Sequence, residues 1–268
     1  MLMGGLIALL GLVGSMWGTN GMIIALAFGA ITNVGAWFFS DKLAIAAMQG
    51  QRVDENSGGE LFAMVKRLSE RASLPMPRVY VCPHQAPNAF ATGRSPRHAA
   101  VAVTQGALRL LSREELEGVM AHELAHVKNR DTLTSCVAAT VSGVLATLAY
   151  WSMWLGGGSR NENSNPFVVL ATVLLASLGA ALIRAMISRS REFVADADGA
   201  KIAGSPRGLV SALQKLEAYS KRIPLQQPNP AMNNMFIVEP FTGETLTRLF
   251  ASHPPTEARV RALLGTAN

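Results

Sequence analysis

Four apolar blocks divide the chain into alternating oily and polar stretches: Met1–Trp17, Met22–Ser40, Thr134–Leu155 and Phe167–Ile187. A helix rises about 1.5 Å per residue, so roughly 20 residues cross a ~30 Å hydrocarbon layer. The second and fourth blocks meet that length. The third does so if Gly143 is tolerated within its helix, and the first sits at the short limit. A cleaved signal peptide is the rival reading of the first block. Against it, no basic residue precedes the block, and a second uncharged block follows directly after Gly18–Gly21. Two membrane hairpins are therefore expected, over residues 1–40 and 134–187.

The polar regions, residues 41–133 and 188–268, carry different patterns. In the first, Leu61, Met64, Val65 and Leu68 recur at helical spacing within Glu60–Ala72. Pro75 and Pro77 break that helix before a short strand, Arg78–Cys82; a second strand, Ala99–Thr104, carries the β-branched Val101 and Val103. Asn88–Gly93 between them reads as a loop or an irregular edge segment. Ser112 followed by Glu115 forms a capping-box signature that opens a helix at Arg113. No proline interrupts it before the third block, so it is free to run on into that span. In the second region, Pro206–Ser220 is an amphipathic helix, residues 221–243 are a Pro- and Asn-rich loop, and Pro254–Leu264 opens a final helix.

Orientation follows from the basic residues. Lys42, Arg52, Lys66 and Arg67 follow the second block, Lys128 and Arg130 precede the third, and Arg184, Arg189 and Arg191 lie at or after the end of the fourth. The opposite side holds only Gly18–Gly21 and the loop Gly156–Asn165 with Arg160. The positive-inside rule puts both polar regions in the cytoplasm, where they can join into one domain.

Composition supports this picture. The 268 residues are 49% hydrophobic and 16% charged, with mean hydropathy +0.24; soluble domains carry about 25% charge. The net charge of +6 raises the question of a nucleic-acid partner. No dense basic run with interleaved aromatics occurs, so that class is set aside in favour of a lipid bilayer. The two cysteines, Cys82 and Cys136, form neither a C-x-x-C pair nor a disulfide framework.

The decisive chemistry is His122-Glu123-Leu124-Ala125-His126 inside the capped helix. Positions i and i+4 lie only about 40° apart, one turn up the same face. Two imidazoles at that spacing can bind one Zn²⁺, and Glu123 flanks the metal without ligating it, as a general base must. A catalytic zinc site needs a third protein ligand. His84, His98, His253 and the acids are candidates. The best segment is Ser190-Arg-Glu192-Phe-Val-Ala-Asp196, though its spacing fits an ordinary ion-pair helix as well. His126 lies roughly 12 Å of helix before the third block and Glu192 roughly 8 Å after the fourth, so one hairpin could deliver both to similar depths.

Taken together, Asn88-Ala-Phe-Ala-Thr-Gly93, Ala121-His-Glu-Leu-Ala-His126, Ser190-Arg-Glu-Phe-Val-Ala-Asp196 and Ser252-His-Pro-Pro255 followed by Arg259 resemble the M48 metallopeptidase family, over nearly the whole chain. The resemblance implies one Zn²⁺ per subunit with Glu192 as third ligand beside His122 and His126. It also implies Asp196 as a partner orienting one of the two histidines. It departs from the family's pattern at the start, where Met1 is already apolar; an upstream start and a short first span are the two readings. His253 or Arg259 could stabilise a tetrahedral oxyanion, and capping of the last helix is the plainer role for His253. Asn88, Ala89 and Phe90 are substrate-binding candidates through an exposed edge, against a plain turn ending at Gly93. His84 and His98 read as surface residues, and Asp131 as an interfacial or ion-paired residue.

The expected fold is α+β, mainly α: a gluzincin-type zinc metallopeptidase domain on the cytoplasmic side of a four-helix transmembrane anchor. Its first part spans residues 41–133 and its second 188–268. The expected activity is hydrolysis of peptide bonds in membrane or membrane-proximal proteins, at the bacterial inner membrane. By resemblance the substrates are misfolded or damaged membrane proteins, handled in stress-linked quality control alongside other quality-control proteases. A narrow processing peptidase and an adaptor using zinc structurally are the rivals; the intact Glu123 and the lack of a fourth obvious ligand oppose the adaptor.

Overall fold

The computed structural model describes residue 14 and residues 18–131, 189–222 and 253–265. The chain divides into two compact units, one of Met1–Trp37 with Cys136–Arg184 and one of Phe38–Ser135 with Ala185–Asn268. In the first unit the described residues are helical. The second holds every strand and the residues of interest. Helix α1, Gly18–Ala47, is 30 residues long. Among the described residues no helix is long and apolar enough to cross a membrane, so the expected anchor is not seen in them. The blocks 134–155 and 167–187, and nearly all of 1–17, lie outside the described residues.

The second unit is built on a four-stranded sheet of β1 (Gln51–Val53), β2 (Arg78–Cys82), β3 (Ala89–Thr92) and β4 (Ala100–Thr104), in the order β1-β2-β4-β3. β2 and β4 run parallel with Val79 opposite Val101, while β1 and β3 join antiparallel at the two edges. Strand alternation sends Val79, Val101 and Val103 to one face and Cys82, Ala100 and Ala102 to the other. Ile45 and Met48, at and beyond the end of α1, cover the second face. Helices α2 (Glu55–Arg71) and α4 (Arg113–Asn129) cover the first, after the short α3 (Gln105–Leu110).

Local chemistry explains these elements. Asp54 caps α2 by accepting from the N–H groups of Asn56 and Ser57 at 3.0 and 2.9 Å, and Ser57 Oγ accepts from Asp54 N–H in return. A kink at Gly59 (φ 46°) follows, so the regular turns begin at Glu60, where the apolar spacing begins. Ser112 and Glu115 make the expected box on α4, with Ser112 N–H donating to Glu115 Oε2 at 2.7 Å.

Two expectations require correction. Helix α4 does not run on: Arg130 takes a left-handed conformation (φ 59°, ψ 30°), and its N–H closes on the carbonyls of His126 and Val127. Residues 89–92, within the segment read as a loop or an irregular edge, are a regular edge strand, because β4 offers four paired positions that outweigh the weak strand propensity of alanine.

Beyond the gap the chain is helical through residues 189–203 (α5), then in α6 (Arg207–Arg222) and α7 (Thr256–Leu264). Leu209, Ala212, Leu213 and Leu216 of α6 are buried against α4. Gly118 permits that contact, since a Cβ there would stand 2.4 Å from the Leu209 nitrogen. Of the loop read at 221–243, residues 221 and 222 belong to α6 and the rest lie outside the described residues.

Candidate metal centre

Helix α4 is buried along most of its length, and its metal-competent turn is more enclosed than the sequence alone implies. His122 is 1% exposed and Glu123 6%. One turn of α4 brings His122 Nε2 and His126 Nε2 to 3.1 Å from each other. Helix α5 adds Glu192, with Oε1 3.4 Å from His126 Nε2 and Oε2 3.6 Å from His122 Nε2. Ligand atoms of the three residues all lie within 4.8 Å of one another.

That approach is made possible by a residue the sequence reading passed over. A Cβ on Gly199 would stand 2.8 Å from His122 Cα and 2.9 Å from its nitrogen. Gly199 lies seven residues beyond Glu192 and three beyond Asp196, two turns along the same face of α5. Backbone contact at Gly199 therefore sets how closely the Glu192 face meets the histidines.

Each outer ring nitrogen lies beside a carboxylate, in hydrogen-bonding line for His126 and out of line for His122. His122 Nδ1 lies 3.0 Å from Asp196 Oδ1, and His126 Nδ1 lies 3.0 Å from Asp131 Oδ2. A carboxylate at that distance favours the tautomer with its proton on Nδ1, since a bare lone pair there would face negative charge. Both Nε2 lone pairs then point at the same small volume, toward each other and toward Glu192. Nε2 atoms so disposed call for a positive charge between them, a proton held by His126 or a metal ion. Glu192 Oε2 is buried and accepts no hydrogen bond, although His253 Nδ1 is 2.9 Å away and out of line. The donor set of two imidazole nitrogens and one carboxylate therefore fits a divalent metal such as Zn²⁺.

Charge around the site is arranged in the same sense. Arg259, 1% exposed, grips Asp196 through Nε at 2.9 Å and Nη2 at 2.7 Å. Burial pushes the Asp196 carboxyl up, but Arg259 and His122 outweigh it and bring it to about 2. Glu192 behaves alike: burial raises its carboxyl, and His253 and His126 together hold it well below the ordinary range. Burial lowers the His126 imidazole, yet Asp131 and Glu192 more than reverse this and raise it to about 10. The surroundings of His126 thus attract positive charge. Glu123 goes the other way, since burial raises its carboxyl above the ordinary value. One of its acceptor sites is met by the backbone N–H of Ala91 in β3.

Several expectations change here. Asp196 stands beside His122, while His126 has a different carboxylate, Asp131, which was read from sequence as an interfacial or ion-paired residue and is paired with Arg191. Arg259 is committed to Asp196, with Nη2 3.4 Å from Glu192 Oε2. His253 sits against Glu192, and it does not cap the last helix, whose N-cap is Pro255 without a side-chain bond. Asn88, Ala89 and Phe90 are 1%, 1% and 3% exposed, so their side chains are buried and the exposed edge offered there is backbone. His84 and His98 lie elsewhere, His84 near the Met48 carbonyl and His98 against the Ser95 hydroxyl.

A sequence profile of peptidase family M48 matches residues 55–267, so the chain belongs to that family and is a metalloprotease. Its relatives include a "Protease HtpX homolog" of Nostoc punctiforme, 54% identical over 252 residues, covering 92% of this chain and 87% of the relative. A second, of Burkholderia ambifaria, is 48% identical over 271 residues, covering 100% and 95%. Among solved structures, the crystal structure of S. mikatae Ste24p aligns with TM-score 0.60 and 17% identity, over 97% of this chain. The alignment spans 62% of the Ste24p chain, and the likeness is one of fold.

Proposed function

We propose that the chain is a zinc endopeptidase of a bacterial inner membrane, with His122, His126 and Glu192 holding one Zn²⁺ and Glu123 serving as general base. The observation that carries this reading is the convergence of two imidazole Nε2 atoms and the Glu192 carboxylate, with Glu123 beside them on the same helix. When bound, the metal supplies Lewis acidity, which acidifies a water and polarises a carbonyl. Glu123 would take a proton from the attacking water and pass it to the leaving amine. Its raised proton affinity suits both halves of that exchange, because a base works best with a pKa near the working pH. Asp196 and Asp131 keep the two imidazoles in the tautomer that faces the metal.

Substrate would add as a strand along β3. Asn88 carbonyl accepts from Thr104 N–H, so residues 88, 90 and 92 pair with β4, and the polar groups of Ala89 and Ala91 turn away from it. Ala91 N–H already reaches Glu123, which would bring a peptide laid on this edge beside the base. Recognition of Asn88, Ala89 and Phe90 is then through backbone and not side chain.

The four apolar blocks support a multi-pass anchor with the active site on the cytoplasmic face. Exposed Ile23, Ile24, Ile31, Phe38 and Phe39 on α1 suit contact with lipid, and Arg94 stacks on Phe38 at 4.2 Å. Misfolded or damaged membrane proteins are the substrates this arrangement would serve, in concert with other quality-control proteases. The test is Glu123→Gln in the full chain in detergent. It should retain stoichiometric zinc and lose at least ~10²-fold in peptide hydrolysis; hydrolysis at the parent rate would end the reading.

A further inference from the structure

We infer that Asp131 is a positioning residue for the metal centre, joining His126 to the helix that carries Glu192; the inference rests on the metal-site reading above. In an uninterrupted helix, position 131 would lie about 140° around the axis from position 126 and could not reach it. The left-handed turn at Arg130 breaks the helix and brings Asp131 back, 7% exposed, against the outer edge of the His126 ring.

Its two oxygens do different things. Oδ2 lies 3.0 Å from His126 Nδ1, and Oδ1 accepts from Arg191 Nη1 at 2.7 Å, across 60 positions of sequence. Arg191 is the neighbour of Glu192 on α5. One buried carboxylate thus ties the second histidine and the third candidate ligand together from behind.

The other histidine has a similar arrangement, with Asp196 standing between His122 Nδ1 at 3.0 Å and Arg259 at 2.7 Å, although that Nδ1 is out of hydrogen-bonding line. Each imidazole is backed by its own aspartate, and each aspartate by its own guanidinium. The pairs differ in placement. All four residues belong to the second unit, but Asp196 and Arg259 both lie in its later segment, beginning at Ala185, whereas Asp131 of the earlier segment, ending at Ser135, is joined to Arg191 of the later one. The Asp131–Arg191 pair therefore couples the register of the two segments to how His126 and Glu192 meet a metal.

The experiment measures zinc affinity of the full chain in detergent by competition with a chelating dye, and the visible spectrum of the Co²⁺-loaded protein. Asp131→Asn should weaken zinc binding about 10–100-fold and alter the Co²⁺ bands, because the amide can serve only one partner: with its oxygen on Arg191 its NH2 faces Nδ1 and holds the wrong tautomer, and turned round it meets Arg191 donor to donor. Asp131→Glu should recover part of the loss. Arg191→Met leaves the His126 contact in place and should give a smaller loss in the same direction; it carries the test if the asparagine variant does not fold. Parent affinity and an unchanged spectrum in Asp131→Asn, or in Arg191→Met where that variant stands in, would overturn the inference alone. A parent chain that binds no zinc would overturn both this inference and the metal-site reading.

Discussion

Two polar clusters lie about two turns apart along helix α4, one around Glu115 and one around His122 and His126. Both bury carboxylates beside cations, yet they close differently. Glu115 accepts from Ser112 N–H, from the Ser211 hydroxyl and from Lys215 Nζ, each at 2.7 Å. Its two oxygens are met and its charge is matched by one ammonium. The second cluster gathers four carboxylates, Glu123, Asp131, Glu192 and Asp196, against the two guanidiniums of Arg191 and Arg259. The same excess of carboxylates raises the His126 imidazole to about 10 in the chain without metal, so positive charge is favoured at the point where the ligand atoms converge. A buried polar network that satisfies itself holds helices together. One that converges on a point and leaves atoms unmet there is built to receive something.

The contrast breaks most readily at Arg259. Arg259→Met removes the partner of a carboxylate that is 1% exposed, in a cluster already rich in negative charge. It should destabilise the metal-free chain by about 3–5 kcal/mol, read by urea denaturation, because an uncompensated buried charge is left behind. Zinc should recover part of the loss, since the ion supplies the missing positive charge. An Arg259→Met chain as stable as the parent without metal would show that the cluster is not short of cations.

Much of this second cluster was legible beforehand, for reasons that are local. The i, i+4 pair of histidines and the Ser112–Glu115 box lie on one helix, and helical geometry turns their spacing into a shared face. Glu192 and Asp196 were legible as a pair on α5, and the family resemblance set them beside the histidines; the grip of Arg259 on Asp196 was not legible. Asp131 was read as an interfacial or ion-paired residue, and its pairing with Arg191 agrees; its place behind His126 was hidden because no glycine announces the left-handed turn at Arg130, and a running helix carries position 131 away from His126. The strand at Ala89–Thr92 was hidden by alanines of weak preference; only β4 alongside makes it one. Gly199 gave no signal either, since a glycine inside a helix declares itself only when a second backbone comes against it.

Gly199 offers the next way to separate the two clusters, because it lies against His122 and far from Glu115. Gly199→Val would drive a side chain into backbone atoms of α4 that stand 2.8 and 2.9 Å from the new Cβ. Helix α5 must then move outward, with a stability cost of about 1–3 kcal/mol. Glu192 withdraws from the histidines in the same motion. Zinc affinity and hydrolysis should therefore fall together, while the Glu115 contacts persist. A Gly199→Val chain that binds zinc as the parent does would mean that α5 tolerates a wider gap.

The smallest effect is expected at the closed cluster, and it depends on pH. Burial pushes the Glu115 carboxyl up, but Lys215, the Ser112 N–H and the Ser211 hydroxyl outweigh it and bring it from 4.5 to about 2. A group whose pKa falls on folding binds more protons in the unfolded chain between those two values, so stability rises with pH across that window. Its contribution is full above about pH 4.5 and is lost as the pH falls toward 2. Glu115→Gln keeps the shape and two of the three hydrogen bonds, and Lys215 is 40% exposed, where water screens the pair. The variant should lose only about 1 kcal/mol at pH 7 and show a flatter stability profile between pH 2 and 4.5, with zinc binding untouched. Thermal denaturation of both chains across that range reads the difference. A loss as large as that of Arg259→Met would erase the distinction between a cluster that is complete and one that is waiting for an ion.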